Sequence, residues 1–74
     1  MNWEYEKRVG NTIRQYRESK GLTQEQLSAK LQVGGCDITR SGLAKMEVGQ
    51  RHIYLDEIVL ISQILETPFQ DLLT

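Results

Sequence analysis

The sequence predicts an all-α protein built from five short helices in one domain. Apolar residues recur every three or four positions along most of the chain, and no segment shows the pattern of a strand. Helix-capping signals separate these stretches, and a chain of 74 residues has room for one small core. Residues 1–74 are therefore expected to form a single compact domain.

The first helix is indicated by Val9, Ile13 and Tyr16, which lie at helical spacing with basic residues between them. Gly21 is a typical C-terminal stop, because glycine readily adopts the left-handed conformation that ends many helices. The start of the helix is left open. Aromatic residues near the N-terminus extend the pattern, but Gly10 weakens its middle.

The second helix begins with a capping box, T-x-x-Q, in which the side chains of Thr23 and Gln26 satisfy free backbone amides at a helix start. Leu27 and Leu31 follow one turn apart, so they share one face. The pattern fades into QVGGC, where two adjacent glycines suit a turn better than a helix.

The third helix is predicted between Thr39, a good N-cap residue, and Gly49, which supplies a left-handed stop. Asp37 is a rival cap. Leu43 and Met46 share one face, so the opposite face is expected to be exposed. That face carries short or basic side chains: Arg40, Ser41, Ala44 and Lys45.

The fourth helix is apolar nearly all round, which requires thorough burial or an interface. Its apolar or small residues are Leu55, Ile58, Val59, Leu60, Ile61, Ser62, Ile64 and Leu65. The fifth helix is signalled by TPFQ. Thr67 is the expected cap, Pro68 suits the first helical position, and Gln70 completes a capping box.

Charge is unevenly distributed along the chain, although the formal net charge is only −1. Residues 38–53 carry three bases (Arg40, Lys45 and Arg51) against the single acid Glu47. Residues 54–74 carry four acids and no base. The third predicted helix therefore lies in the only clearly basic segment, and the C-terminal end is acidic.

Composition argues against several classes of function. One histidine, one cysteine and no acid pair placed for catalysis argue against an enzyme, and no Cys/His cluster has the spacing of a metal site. We therefore predict no catalytic residues, no metal, no cofactor and no small-molecule substrate. No apolar run is long enough to cross a bilayer, so we expect a soluble cytoplasmic protein with no membrane partner.

Three motifs follow one another along the chain: GLTQEQLSAKL, the L-x-x-M-E-x-G of residues 43–49, and a closing run of LDEI, ISQILE and FQDLL. Together they resemble the lambda-repressor/Cro-like helix-turn-helix domains, also called the XRE family, over about residues 9–73. The resemblance implies a five-helix fold whose second and third helices form the helix-turn-helix. It also implies a transcriptional regulator that binds DNA sequence-specifically, a repressor that is Cro-like in having no sensor domain.

The resemblance further implies roles for individual residues. The positions that face DNA bases or phosphates in the family correspond here to Gln24, Thr39, Arg40, Ser41, Lys45, Gln50 and Arg51. Ala44 carries no long side chain, so the helix can approach the groove closely. A buried ion pair of the family corresponds to Arg17 and Glu47. Because a small domain makes few base contacts, we expect a homodimer that forms through helices four and five and binds a palindromic DNA duplex.

The sequence departs from the family pattern at two places, and each departure predicts a local change in structure. The segment GGCDI, residues 34–38, is inserted after Val33, so helix two either lengthens or is followed by a looped-out turn. The family's glycines after helices two and four are Gln32 and Glu66 here, so another exit geometry is expected. The alternative function is a protein-interaction adapter or antitoxin-type module that keeps the fold without specific DNA binding, which the low net charge favours.

Overall fold

The computed structural model describes residues 3–73 and confirms the predicted all-α fold of five helices. In chain order they are α1 Trp3–Ser19, α2 Gln24–Val33, α3 Arg40–Glu47, α4 Leu55–Ile64 and α5 Phe69–Leu72. No strand occurs within residues 3–73. The helices share one core of buried apolar side chains: Val9, Ile13, Leu27, Leu31, Ile38, Leu43, Met46, Ile58, Ile61, Leu65 and Leu72.

α1 runs unbroken from Trp3 through Gly10, so the aromatic residues near the N-terminus do extend it. A Cβ atom at Gly10 would lie only 2.1 Å from the carbonyl oxygen of Met46. Only glycine therefore allows α1 to cross the end of α3 this closely. The residue that weakens the helix by propensity is the one that permits its packing.

Side-chain caps begin α2 and α3 as predicted. At α2, the Thr23 hydroxyl accepts from the Gln26 amide at 3.0 Å, and the Gln26 side chain accepts from the Thr23 amide at 2.9 Å. At α3, the Thr39 hydroxyl accepts from the amide of Gly42 at 3.1 Å. Thr39 rather than Asp37 is therefore the N-cap of α3.

The predicted cap of α5 is wrong. The helix begins at Phe69, Pro68 precedes it as the N-cap, and no side-chain hydrogen bond caps it. Thr67 is buried, and its hydroxyl donates back to the carbonyl of Leu65 at 3.2 Å. Thr67 is therefore occupied in closing α4, so it cannot pair with Gln70 in a capping box.

Four helices end at a residue in the left-handed conformation: Gly21, Gly35, Gly49 and Glu66. At the end of α4, the Thr67 amide donates to the Ser62 carbonyl at 3.0 Å and the Glu66 amide donates to the Gln63 carbonyl at 3.2 Å. This pair of bonds is a Schellman motif. The expectation of another exit geometry at Glu66 is wrong, because this non-glycine residue keeps the left-handed exit at φ 52°.

The inserted segment does not lengthen α2 but forms a looped-out turn that folds back onto the core. α2 ends at Val33, directly before the insertion, and Gly35 reverses the chain at φ 99°. The Gln32 side chain donates to the Ile38 carbonyl at 3.1 Å, and Ile38 is buried. Gly34 packs so tightly on Leu60 of α4 that a Cβ there would approach the Leu60 side chain to 2.8 Å. The loop therefore ties the start of α3 to both α2 and α4.

Candidate nucleic-acid interface

α3 separates a buried face from an exposed one. Leu43 and Met46 are fully buried in the core. The predicted contact residues that lie exposed at the start of the helix or on its outer face are Thr39, Arg40, Ser41 and Lys45, and Ala44 lies half-buried beside them. Since Ala44 adds no long side chain, a partner surface can approach this face closely.

Arg40 and Lys45 leave their cationic groups to solvent. Within residues 3–73, neither side chain takes part in an ion pair or a hydrogen bond. Gln50 is exposed just beyond the helix, and its backbone amide donates to the Lys45 carbonyl at 2.8 Å, which closes the end of α3. The exposed face of α3 therefore offers two uncommitted cations.

A buried ion pair holds α3 against α1. Arg17 donates from Nε to Glu47 Oε2 at 2.7 Å and from Nη2 to Glu47 Oε1 at 3.1 Å. The third nitrogen, Nη1, donates to the Leu22 carbonyl at 2.7 Å. Such a two-pronged contact fixes the orientation of both groups as well as their separation. The structure thus brings together the two residues that the sequence suggested as a pair.

Gln24 joins this pair from the start of α2. Its side-chain Nε2 donates to Glu47 Oε1 at 3.0 Å, so one carboxylate receives hydrogen bonds from two other helices. The side chain of Gln24 is therefore engaged in bracing α3. Glu47 therefore links α1, α2 and α3.

Arg51 has a partner that the sequence did not suggest. Its two terminal nitrogens donate to the two carboxylate oxygens of Glu57 at 2.8 Å each, and Nη1 also donates to the His52 carbonyl at 2.9 Å. Burial raises the pKa of Glu57, but the hydrogen bonds from Arg51 and from the Tyr54 amide outweigh it, so the pKa is below its ordinary value. Arg51 thereby fastens the α3–α4 loop to α4.

A second contact that the sequence did not suggest joins α1 to the same loop. Nδ1 of His52 lies 3.0 Å from Glu6 Oε2, and the Ile53 amide donates to Glu6 Oε1 at 3.2 Å. The contact with His52 and then the Ile53 amide lower the pKa of Glu6. The Trp3 ring stacks on His52 with their centroids 4.4 Å apart. Because Glu6 and His52 are 46 residues apart, no local sequence pattern predicts this contact.

Other kinds of site receive little support from the described residues. No group of three or more His, Cys, Asp or Glu side chains within residues 3–73 is placed to hold a metal ion. Burial, followed by the charges of Asp56 and Glu57, raises the pKa of the Cys36 thiol, which lowers its reactivity. None of the helices among these residues has the length and apolar character needed to span a bilayer.

Comparisons with known proteins agree with this geometry. A family model described as helix-turn-helix matches residues 13–72. Among solved structures, the crystal structure of the DNA-binding domain of BldD is similar with a TM-score of 0.83 and 26% sequence identity, and the match covers 100% of both chains. No curated protein matches the chain.

Proposed function

The chain belongs to the helix-turn-helix family, and we propose that it is a sequence-specific DNA-binding regulator of transcription that reads the major groove with α3. One observation carries the proposal. The exposed face of α3 holds the uncommitted Arg40 and Lys45, while its other face is fixed through Glu47 to two helices. A rigid helix with free cations suits a groove lined by phosphates.

The residues of this face divide by the DNA group that each suits. Arg40 lies in the first turn of α3 and can donate two hydrogen bonds to a guanine edge, whereas Lys45, one turn beyond Ser41, suits a base or a phosphate. Thr39, Ser41 and Ala44 complete the proposed contact face. We propose that this region lies within the groove and supplies the sequence readout.

The flanks of the face suit the DNA backbone. Free amides in the first turn of α2, at Gln24, are good donors to a phosphate. Gln50 lies exposed in the loop beyond α3, where it would follow the backbone. Arg51 remains part of this proposal, but a phosphate has to share its guanidinium with Glu57. Its contribution to DNA binding should therefore be smaller than that of an unpaired arginine.

We further propose a homodimer formed through α4 and α5. Leu55 on α4 is 71% exposed and Val59 one turn later is 38% exposed. Together with Tyr54, which is 61% exposed, they form an apolar surface that a partner copy would cover. A two-fold dimer would read a palindromic operator with half-sites about 10 base pairs apart. Occupying such a site suits a cytoplasmic, Cro-like repressor of a prokaryote or phage.

The alternative is a protein-interaction adapter or antitoxin-type module with the same fold. The net charge of −1 and the engagement of Arg51 by Glu57 favour it, because both reduce attraction to DNA. The free cations on α3 favour DNA instead. The two functions differ in whether binding depends on the base sequence of a duplex.

Selection of bound duplexes from a random pool tests the proposed function. Wild-type protein should enrich one motif that contains two half-sites related by two-fold symmetry. Arg40→Ala selected in parallel should give a motif with a relaxed preference at one position in each half-site. If the wild-type protein enriches no sequence over the starting pool, specific DNA binding fails and the adapter function replaces it.

A further inference from the structure

An open groove runs between the outer face of α1 and the C-terminal end of α3. Its volume is about 380 Å³, and its lining includes Lys7, Arg8, Asn11 and Arg14 of α1 and Val48 after α3. All five of these residues are exposed. Three positive charges within about two turns of one helix therefore face a single concave surface.

The groove continues the exposed face of α3. Val48 follows Ser41 by seven positions and Lys45 by three, so the three residues lie on the same side of the helix axis. At the end of α3, a Cβ on Gly49 would lie 2.7 Å from the Lys7 Cβ, so α1 crosses directly beside the C-terminal end of α3. A ligand lying along α3 would therefore meet the groove as it leaves the end of the helix.

The distribution of charge makes this groove the main basic surface outside α3. Of the nine bases in the chain, Arg17 and Arg51 are engaged by Glu47 and Glu57. Arg14 has only a loose exposed contact with Glu18 at 3.6 Å, and such contacts contribute little. α3 alone supplies two free cations, which is few for a domain that must hold a polyanion.

The acids of the groove leave its positive charge largely in place. Glu47 lines the floor, but it is neutralised by Arg17. Glu4 at the rim is exposed and is the remaining acid of the lining. The Arg8 guanidinium lies 5.8 Å from the centroid of the Tyr5 ring, a contact that leaves the positive charge in place.

We propose that this groove is a second DNA-binding surface, in which α1 contacts the sugar–phosphate backbone beside the stretch of major groove occupied by α3. The inference rests on the proposed function. The groove contacts phosphates through Lys7, Arg8 and Arg14, so these contacts add affinity without reading the base sequence. Val48, half-exposed between Lys45 and these bases, offers the apolar contact that a deoxyribose suits.

The test measures binding of the full chain to a selected duplex and a scrambled duplex across a salt series. Lys7→Ala combined with Arg14→Ala should weaken binding equally on both duplexes and reduce the slope of log affinity against log salt by about 0.9 for each lost phosphate contact. Glu4→Gln should strengthen binding to both duplexes, a gain that damage to the fold cannot mimic. Lys30→Ala removes an exposed base of α2 outside the groove and should leave the slope unchanged.

Arg40→Ala, measured on the same duplexes, separates this inference from the proposed function. An unchanged slope for the double variant and an unchanged affinity for Glu4→Gln, while Arg40→Ala loses affinity on the selected duplex, would overturn the groove and leave the proposed function intact. A reduced slope for the double variant with no effect of Arg40→Ala would support the groove and remove the base-reading role of α3. If neither the double variant nor Arg40→Ala loses affinity, both the groove and the proposed function are overturned.

Discussion

Glu47 receives three hydrogen bonds from two helices while its own side chain is fully buried, and Arg17, which donates two of them, is 8% exposed. Charges removed from water in this way are stable only as long as both partners remain. The contact therefore governs the stability of the domain as well as the orientation of α3.

Removing one partner should be costly. Glu47→Ala leaves the Arg17 guanidinium buried without its counterion, at a cost of about 3–5 kcal/mol in the free energy of unfolding. The double variant Glu47→Ala with Arg17→Met should recover part of that loss, because no unpaired charge remains. Urea unfolding of the three proteins measures both effects. Glu18→Ala, which removes an exposed ion pair, should change the unfolding midpoint little. A Glu47→Ala midpoint equal to that of wild type would show that the Arg17–Glu47 pair does not stabilise the fold.

The Arg51–Glu57 contact predicts how stability responds to acid. Because the folded-state pKa of Glu57 is below its ordinary value of 4.5, the unfolded chain binds the proton more readily. The contribution of Glu57 is therefore fully present above about pH 5 and is lost as the pH falls through the lowered folded value. The lowered pKa of Glu6 acts in the same direction.

Unfolding free energies measured from pH 6 to pH 3 should therefore fall more steeply for wild type than for Glu57→Gln. The variant is expected to be less stable at pH 6, since a neutral amide cannot replace the ion pair, but to lose less on acidification. Asp56→Asn, which alters an exposed neighbour, serves as the control. Parallel pH curves for wild type and Glu57→Gln would show that Glu57 keeps its ordinary pKa.

Glu66 predicts a stabilising substitution. A side chain in the left-handed region costs on the order of 1–3 kcal/mol, and glycine removes this cost but loses about 0.5–1 kcal/mol in chain entropy. Glu66→Gly should therefore stabilise the protein by roughly 1 kcal/mol, which raises the melting temperature by about 4–8 °C. Glu66→Ala keeps a Cβ and should give no such rise. Thermal unfolding distinguishes them, and equal melting temperatures for the two variants would argue against backbone strain.

The local signals in the sequence predicted the helices well for physical reasons. Thr23, Thr39 and Gly49 act through hydrogen bonds and backbone conformations that span only a few residues, so the chain itself specifies those boundaries. Thr67 fits the same capping pattern, but it does not cap α5. Its hydroxyl is buried against the end of α4, a competition that only the folded chain reveals.

Side-chain contacts that depend on how the folded segments pack could not be predicted in this way. Glu57 lies in the first turn of α4, where an acidic side chain interacts favourably with the helix dipole. Nothing in the neighbouring sequence indicates that it binds Arg51. The Arg17–Glu47 pair was suggested only by family resemblance, across 30 residues. Likewise, the sequence shows Lys7 and Arg8 only as basic residues of α1. The packing of α1 on Gly49 places Lys7 beside the end of α3, and Arg8 lines the same groove.

The apolar surface on α4 predicts self-association on DNA. Wild type mixed with a longer tagged version on a palindromic duplex should give a gel band of intermediate mobility, because each duplex then holds one copy of each. Leu55→Lys places a charge on the most exposed leucine of α4 and should weaken this association without disturbing the buried core. Only two bands at every protein concentration would contradict the homodimer.

Base reading by α3 can be measured through the affinity of Arg40→Ala for the selected duplex and for a scrambled duplex at one salt concentration. We expect a loss of about 1–3 kcal/mol, or roughly 5- to 150-fold, on the selected duplex and a much smaller loss on the scrambled one. Lys30→Ala should bind both duplexes as wild type does. Equal losses on the two duplexes, or no loss on either, would contradict base reading by α3.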